Sequence, residues 1–210
     1  MILVLIGLPA SGKGTQASLI SSELAFEKIS VGDLLREEAT QNPKIREMLK
    51  SGSLLPGDTV NEMVEKTLNR NKSASYVLDG YPRSMQQTKF LINNHKTNIR
   101  AIHLDISIDF LLERIRTRYV CAACKAVYNE SQDSKINKKC DFCLSREFIT
   151  REDDNEDTFR NRIAEYQKKT IEVIDYFLEQ GILNTINAQD TPEKVFTKIK
   201  DCIHSWQKES

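Results

Sequence analysis

The sequence lacks a net charge and lacks any long hydrophobic run. Thirty Lys and Arg side chains balance thirty Asp and Glu side chains over 210 residues, so the formal net charge is zero. This balance argues against binding nucleic acid or an acidic membrane surface over the whole molecule. The longest apolar stretches have about the length of a strand, far short of the roughly 20 residues that a membrane-spanning helix needs.

The chain also shows no signal-peptide pattern, no internal repeat and no low-complexity tract. Its apolar start, MILVLI at residues 1–6, leads directly into glycine and not into a cleavage site. The length is enough for one sizeable core with one or two small insertions. We therefore expect a cytoplasmic, monomeric protein that has neither nucleic acid nor a membrane as its partner.

Strand-like stretches alternate with helical patterns along most of the chain. Runs rich in Ile, Val and Leu predict strands at 2–6, 28–29, 76–78, 101–104 and 182–186. Helical periodicity predicts helices at 16–24, 59–68, 110–118, 158–178 and from Pro192 onward. Such alternation favours a parallel sheet that is covered on both faces. The predicted class is an α/β fold of three layers around a five-stranded parallel sheet.

Two stretches interrupt this alternation. Residues 30–59 contain helical turns without a strand, and residues 121–151 contain two cysteine pairs around a polar segment. We interpret both as insertions that project from strand ends. The predicted core then consists of residues 1–29, 60–120 and 152–210.

Three of the eight glycines fall in GLPASGKG, residues 7–14, directly behind the first predicted strand. The spacing G-x-x-x-x-G-K between a strand and a helix is typical of a loop whose backbone N–H groups surround phosphate. In such a loop Lys13 reaches the outer phosphates, and the hydroxyl of Thr15 faces Mg²⁺. The alternative is a glycine-rich turn with an exposed lysine, which the strand and helix around it disfavour.

Four of the five cysteines form two C-x₂-C pairs with fifteen residues between the pairs. They are Cys121, Cys124, Cys140 and Cys143. The spacing is typical of a zinc ribbon, in which four thiolates surround a tetrahedral Zn²⁺. Free thiols, disulfides and a nucleic-acid-binding zinc module are the alternatives, the last without a stripe of basic and aromatic residues to support it. Because the segment is too small and polar to build its own core, we predict one structural zinc ion per chain.

The form GKGTQ at residues 12–16 resembles the nucleoside monophosphate kinases, and the loop resembles adenylate kinase most closely. ISVGDLLR at 29–36, SLLP at 53–56, YVLDGYPR at 76–83 and REDDNEDTFRNRI at 151–163 follow in that family's order over nearly the whole chain. The cysteine pairs resemble the zinc lid of one bacterial type of adenylate kinase. The resemblance implies reversible, Mg²⁺-dependent transfer of the γ-phosphate of ATP to AMP, which gives two ADP.

The resemblance also implies two nucleotide sites that share a group of arginines. For ATP it implies Ala10, Ser11, Gly12, Lys13, Gly14, Thr15, Arg114, Arg118, Val127, Tyr128 and Asp190. For AMP it implies Val31, Arg36, Ser53, Leu54, Leu55, Gly80, Tyr81, Pro82, Arg83, Gln87, Arg151 and Arg162. The implied catalytic residues are Lys13, Arg83, Arg114, Arg118, Arg151 and Arg162. Thr15 and Asp79 would hold Mg²⁺ through water, and the Tyr81–Pro82 peptide bond would be cis.

Three features of the sequence bear on this interpretation. Ala10 replaces the family's glycine, and alanine favours a right-handed backbone over a positive φ. Arg114 and Arg118 are four residues apart, which predicts one face of one helix. Gln87 favours adenine as the acceptor base because a carboxamide can both donate and accept hydrogen bonds.

Alternative functions differ in the acceptor or in turnover. Val31 stands where adenylate kinases usually have threonine, so a related kinase that uses UMP or CMP is the first alternative. A P-loop switch without kinase turnover is a remote one, because the sequence has no N-K-x-D guanine motif.

Overall fold

A computed structural model describes residues 1–71, 73–95, 99–129, 139–151 and 154–208. The first half of the chain forms β1 (Ile2–Ile6), α1 (Lys13–Leu24), β2 (Phe26–Ser30), α2 (Val31–Glu38), α3 (Pro43–Ser51), α4 (Gly57–Leu68), β3 (Ser75–Asp79), α5 (Met85–Asn94) and β4 (Ile99–Asp105). The second half forms α6 (Ile108–Arg116), β5 (Arg118–Cys121), β6 (Val127–Asn129), β7 (Phe148–Ile149), α7 (Glu156–Glu165), a π-helical turn (Tyr166–Thr170), α8 (Ile171–Glu179), β8 (Leu183–Asn187) and α9 (Pro192–Lys208).

The main sheet has five strands in the order β2-β3-β1-β4-β8, and every pair is parallel. β1 lies in the middle and is buried along its whole length. Because side chains alternate along a strand, Val4 and Ile6 enter one apolar core while Leu3 and Leu5 enter the other. Two cores on opposite faces of the sheet confirm the predicted three-layer α/β fold. None of the helices in the described part of the chain is long and apolar enough to cross a membrane.

Two helix predictions are wrong in detail. The helix predicted at 110–118 ends at Arg116, and Arg118 instead begins β5, where it pairs with Asn129 of β6. Strand pairing across the insertion therefore overrides the local helical spacing. The helix predicted at 158–178 is interrupted by the π-helical turn. Two side chains of that turn contact neighbouring segments: the Tyr166 hydroxyl lies 3.2 Å from His103 Nε2, and Thr170 Oγ1 donates to the Arg83 carbonyl at 3.1 Å.

The cysteine-containing insertion, called the lid below, contains a three-stranded antiparallel sheet in the order β6-β5-β7. Each C-x₂-C pair forms a tight turn that ends in a left-handed residue. Lys125 has a φ of 62° and donates its N–H to the Cys121 carbonyl at 3.0 Å. Leu144 has a φ of 62° and donates its N–H to the Cys140 carbonyl at 2.8 Å. The two pairs are thus presented by turns of the same shape.

The helical insertion, residues 30–59, packs against α7. α2 and α3 begin at side-chain caps, since Ser30 accepts from Asp33 N–H and Asn42 accepts from Ile45 N–H. α3 ends at Gly52, whose φ is 75°. A Cβ on this glycine would lie 2.8 Å from the Thr158 carbonyl oxygen, so α7 approaches the backbone here as closely as only glycine allows.

Candidate active site

The loop between β1 and α1 closes around the side chain of Lys13. The ammonium of Lys13 donates to the carbonyl oxygens of Gly7 at 2.8 Å and Leu8 at 2.7 Å. A Cβ at Gly7 would lie 2.7 Å from Ser11 Oγ and 2.8 Å from the Leu104 carbonyl oxygen, so the loop needs glycine there. Gly12, with a φ of 95°, turns the chain into α1.

Ala10 lies in this loop with a φ of 63°, in the left-handed region. The right-handed backbone favoured from the sequence is therefore wrong. The backbone at Ala10 has the conformation that glycine adopts easily. For a residue with a Cβ this left-handed conformation costs about 1–2 kcal/mol.

The pKa of Lys13 is lowered in this structure, so its ammonium loses a proton more readily than usual. Burial lowers its pKa from 10.5 to about 7; Asp79 opposes this shift, whereas Arg83, Arg118 and Arg162 add to it. A bound anion would reverse the shift, because an opposite charge favours the protonated form. The lysine is therefore placed to gain charge when phosphate arrives.

Asp79 ends β3 next to the first turn of α1. A Cβ at Gly14 would lie 3.2 Å from Asp79 Oδ2, so the carboxylate approaches the helix backbone closely. Thr15 and Asp79 line one cavity together. Carboxylate and hydroxyl oxygens are ligands that suit Mg²⁺, which usually keeps several of its waters.

A large cavity adjoins the loop, and a small cavity shares part of its wall with the large one. A large one of about 350 Å³ is lined by the glycine loop, the lid and the arginines predicted around the phosphates. A small one of about 40 Å³ is lined by Val31, Ser53, Leu55 and Gln87 among others. Arg83 and Arg162 line both cavities, and so do Gly80 and Leu54. Two cationic side chains therefore lie at the boundary between the two spaces.

The predicted ATP-site residues all line the large cavity, and the predicted AMP-site residues line one or both cavities with one exception. Tyr81 lines neither of them. Its ring is buried, and its hydroxyl donates to Asn61 Oδ1 at 2.7 Å and to the Gln87 carbonyl at 3.2 Å. The side chain of Tyr81 thus holds α4 against α5. The peptide bond that follows it, Tyr81–Pro82, is cis as predicted.

Three arginines of the large cavity pair with carboxylates. Asp33 lies 2.5 Å from Arg36 and 3.6 Å from Arg151. Asp154 pairs with Arg118 through both of its oxygens, and both partners are largely buried. Such pairs pre-position the guanidinium groups in the geometry that suits phosphate.

These pairs shift the pKa values of their members. Burial alone would raise the pKa of Asp33, but Arg36, Ser30 and Arg151 outweigh it and lower the pKa. The pKa of Arg151 is lowered to about 10, first by burial and then by the nearby charges of Arg36 and Arg118, although Asp33 and Asp154 oppose the shift. Like-charged groups are therefore crowded together here, which makes the region attractive to an anion.

Arg114 and Arg118 reach the large cavity from different elements. Arg114 lies on α6, with its guanidinium carbon 4.8 Å from the centre of the Phe110 ring, and burial lowers its pKa. Arg118 lies at the start of β5. The turn between α6 and β5 brings the two side chains together, so their shared location was predicted for the wrong reason.

The side chain of Gln87 is fixed at the wall of the small cavity. Its Oε1 accepts from the backbone N–H of Arg83 at 2.7 Å, and the residue is buried. The Arg83 side chain in turn donates from Nε to the Gly80 carbonyl at 2.9 Å. Gly80 has a φ of 81°, which favours glycine, and a Cβ there would displace the Arg83 guanidinium, which would lie 2.8 Å away.

The four lid cysteines converge. All four Sγ atoms lie within 4.8 Å of one another, with Cys121 and Cys143 3.5 Å apart and Cys124 and Cys140 3.4 Å apart. Four thiolates at about 2.3 Å from a tetrahedral zinc ion would be about 3.8 Å from each other. The cluster therefore fits a zinc ion with little adjustment.

Tyr128 connects this cluster to the large cavity. Its hydroxyl donates to Cys140 Sγ at 3.2 Å and accepts from the Asp141 N–H at 2.9 Å, while the residue also lines the cavity. Burial would raise the pKa of Cys140, but hydrogen bonds from Tyr128 and from the backbone N–H groups of Cys143 and Phe142 lower it to about 6. The thiolate that a metal needs is therefore favoured.

Asp190, the predicted adenine contact, is tied to its own loop and helix. Its Oδ1 accepts from Thr191 N–H at 2.9 Å and lies 3.2 Å from Lys194 Nζ. These contacts lower its pKa, the Thr191 N–H contributing most. The residue lines the large cavity, but its carboxylate is already engaged.

Lid residues outside the prediction also line the large cavity. They are Lys125, Asn129, Asp141 and Phe142. The sequence predicts the cysteine turns only as a scaffold for the metal. The signal that could have identified one of them is the aromatic residue inside the second pair, CDFC.

A parallel sheet whose central strand leads through a glycine loop into a helix, with arginines from several segments around that loop, defines a P-loop phosphotransferase. A family model described as adenylate kinase matches residues 5–182. The adenylate kinase of Orientia tsutsugamushi (strain Boryong) is 38% identical over 206 residues, which cover 95% of this chain and 97% of the relative. Those of Hydrogenobaculum sp. and Lactobacillus johnsonii are each 36% identical, with 97% and 94% of this chain covered and 100% and 95% of the relatives. The chain belongs to the adenylate kinase family.

Proposed function

We propose that this chain catalyses the reversible transfer of the γ-phosphate of Mg²⁺-ATP to AMP, with two ADP as products. The observation that carries the proposal is the position of Arg83 and Arg162, which line both cavities at their boundary. A group passing from a donor in the large cavity to an acceptor in the small one would pass these two guanidinium groups. Related proteins that align over nearly the whole chain are named adenylate kinase, which supports the same reaction.

The large cavity would hold ATP. The backbone N–H groups of the glycine loop and the ammonium of Lys13 would bind its β- and γ-phosphates, in exchange for the loop carbonyls that Lys13 now contacts. Arg114, Arg118, Val127 and Tyr128 would contact it from α6 and the lid. The loop that contains Asp190 would accommodate the adenine through main-chain groups.

The small cavity, together with the adjoining part of the large one that Arg36 lines, would hold AMP. Arg36 and Arg83 would bind its phosphate, and Gln87 would contact its base. The wall formed by Val31 and residues 53–55 is apolar apart from Ser53, as a base requires. Tyr81 would act by supporting Gln87 and not by touching AMP.

Mg²⁺ would be held by Thr15 and Asp79 through water and would neutralise charge on the ATP phosphates. Arg151 and Arg162 would stabilise the charge that spreads over the moving phosphoryl group. Such a reaction needs little covalent work from the protein, so positioning and electrostatics account for its rate.

We also propose that the lid and the helical insertion close over the bound nucleotides and exclude water. Asp33 in the insertion already lies close to Arg151, near the end of the lid. In the lid, Cys121, Cys124, Cys140 and Cys143 would hold one structural zinc ion, which takes no part in the transfer. The cytoplasmic location and the monomeric state stay predictions.

A coupled assay that measures ADP formation from ATP with AMP, UMP or CMP tests the proposal. We expect the rate of ADP formation with AMP to exceed the rates with UMP and CMP by about tenfold or more. The wrong base would leave the buried carboxamide of Gln87 without its partner. A preference for UMP or CMP would instead support the alternative acceptors that Val31 leaves open. Binding of ATP without turnover on any acceptor would contradict the proposal.

A further inference from the structure

Phe142 is a large apolar residue in the second cysteine turn of the lid, and it is 54% exposed. The aromatic cluster of the described part of the lid is formed by Tyr119, Tyr128 and Phe148, whose ring centres are 5.3–5.6 Å apart. Among the described residues of the lid, Phe142 is not one of those that pack on the buried core. Packing within the described part of the lid therefore does not explain why this turn carries a phenylalanine.

Phe142 lies instead at the wall of the large cavity, which Val127 and Arg114 also line. The turn that carries it is well fixed. Cys140 and Cys143 flank it within the cysteine cluster, and the N–H of Asp141 donates to the Tyr128 hydroxyl at 2.9 Å. The cavity wall thus includes an aromatic residue on a turn that the cysteine cluster and Tyr128 hold.

The chemistry of a nucleotide decides which of its parts suits this ring. Lys13, the arginines and the N–H groups of the glycine loop provide positive charge and hydrogen-bond donors for the phosphates. The ring of a phenylalanine provides neither. A base and a ribose present flat and partly apolar surfaces, on which aromatic side chains stack or pack.

We propose that Phe142 contacts the nucleoside end of the donor nucleotide, so that base and ribose cover its ring when ATP binds. The residue thereby favours a nucleotide over a bare phosphate chain in the large cavity. The inference rests on the proposed function, since the occupant is the donor of that reaction.

The chain offers a matched control in the same turn. Leu144 follows Cys143, is 70% exposed and is not part of the cavity lining. The variants are Phe142→Ala, Phe142→Trp and Leu144→Ala, with Phe142→Leu in reserve if the alanine variant loses zinc. Titration calorimetry of the full-length protein gives dissociation constants for three probes: the β,γ-imido analogue of ATP, inorganic tripolyphosphate and AMP. Zinc content reports on the integrity of the lid.

We expect Phe142→Ala to weaken binding of the ATP analogue roughly fivefold or more, the lower range for loss of a base–aromatic contact. Binding of tripolyphosphate and AMP should stay within about twofold of wild type, as should all binding by Leu144→Ala. Phe142→Trp should retain binding of the analogue.

Three results would overturn the inference: unchanged affinity of Phe142→Ala for the analogue, an equal loss for tripolyphosphate, or an equal loss in Leu144→Ala. The second would mean that the side chain acts on the closure of the lid, and the third that the turn matters as a whole. A wild-type protein that does not bind the analogue at all would count against the proposed function itself.

Discussion

The hydroxyl of Tyr128 donates a hydrogen bond of 3.2 Å to the Sγ of Cys140, and the same residue lines the large cavity. One residue therefore contacts the cysteine cluster and also lines the space proposed for ATP. Partners of metal ligands orient those ligands and tune their affinity, so the structure links zinc binding to the nucleotide site through this residue.

Tyr128→Phe should weaken zinc binding by roughly tenfold or more, because the hydrogen bond that favours the Cys140 thiolate is lost while the ring packing stays. Competition with a chromophoric zinc chelator measures the affinity. Tyr176→Phe, in α8 and far from the lid, is the control and should leave the affinity unchanged. An unchanged affinity in Tyr128→Phe would show that the contact to Cys140 does not support the metal.

Ala10→Gly should stabilise the protein. Glycine adopts the φ of 63° without a steric cost, and this gain exceeds the entropy that glycine adds to the unfolded chain. We expect a net gain of about 0.5–1 kcal/mol, or a rise of roughly 2 °C in Tm, which calorimetry can measure. Ala17→Gly is the opposite control: Ala17 is buried inside α1, so glycine there should lower stability by about 1 kcal/mol or more. A lower Tm in Ala10→Gly would mean that the alanine methyl packs favourably.

The fold could be predicted because local sequence and global packing agree in the core. Ile2–Ile6 is apolar at every position, which fits only a strand that is buried on both faces, and such strands belong to parallel sheets between helix layers. The glycine loop was predictable for the same reason, since its spacing has meaning only between a strand and a helix.

Details that depend on distant partners could not be predicted. Arg118 has helical spacing from Arg114, but its strand pairing with Asn129 depends on the chain returning across the lid. The φ of Ala10 follows from the closure of the loop around Lys13 and not from the preference of alanine. The pair of Arg118 with Asp154 joins residues 36 positions apart, and no local pattern announces it.

Binding of a phosphate chain should be accompanied by uptake of a proton at Lys13. With a pKa of about 7 the ammonium of the free protein is mostly deprotonated at pH 8, whereas a bound triphosphate raises the pKa and requires the cation. At pH 8 we expect more protons to be taken up on binding by wild type than by Lys13→Arg, and this difference should shrink as the pH falls below 7, where the free lysine is already charged. Titrations with inorganic tripolyphosphate in buffers of different ionisation enthalpy measure the difference.

Lys13→Arg is the matched variant for this prediction, because arginine stays charged throughout this range and should show no such uptake. The same shift affects stability. Because the unfolded chain binds the Lys13 proton up to its ordinary pKa, the free energy of unfolding should rise with pH between about 7 and 10.5 more steeply in wild type than in Lys13→Met. Equal slopes in the two proteins would contradict the lowered pKa.

Arg162 and Arg160 provide the sharpest test of the proposed transfer, because they lie on the same helix and differ in location. Arg162 lines both cavities, whereas Arg160 is exposed, pairs with Glu156 at 2.7 Å and is not part of either lining. Arg162→Ala should lower kcat by roughly 10³ or more if its guanidinium stabilises the moving phosphoryl group, and Arg162→Lys should recover only a small part because it lacks the planar fork. The kcat of Arg160→Ala should stay within about twofold of wild type, since exposed ion pairs of this kind contribute little.

The measurement is kcat and KM for both substrates together with Tm. If Arg162→Ala lowers kcat and also lowers Tm, the loss of activity would be assigned to a damaged fold. Equal activities of Arg162→Ala and Arg160→Ala would remove Arg162 from the mechanism.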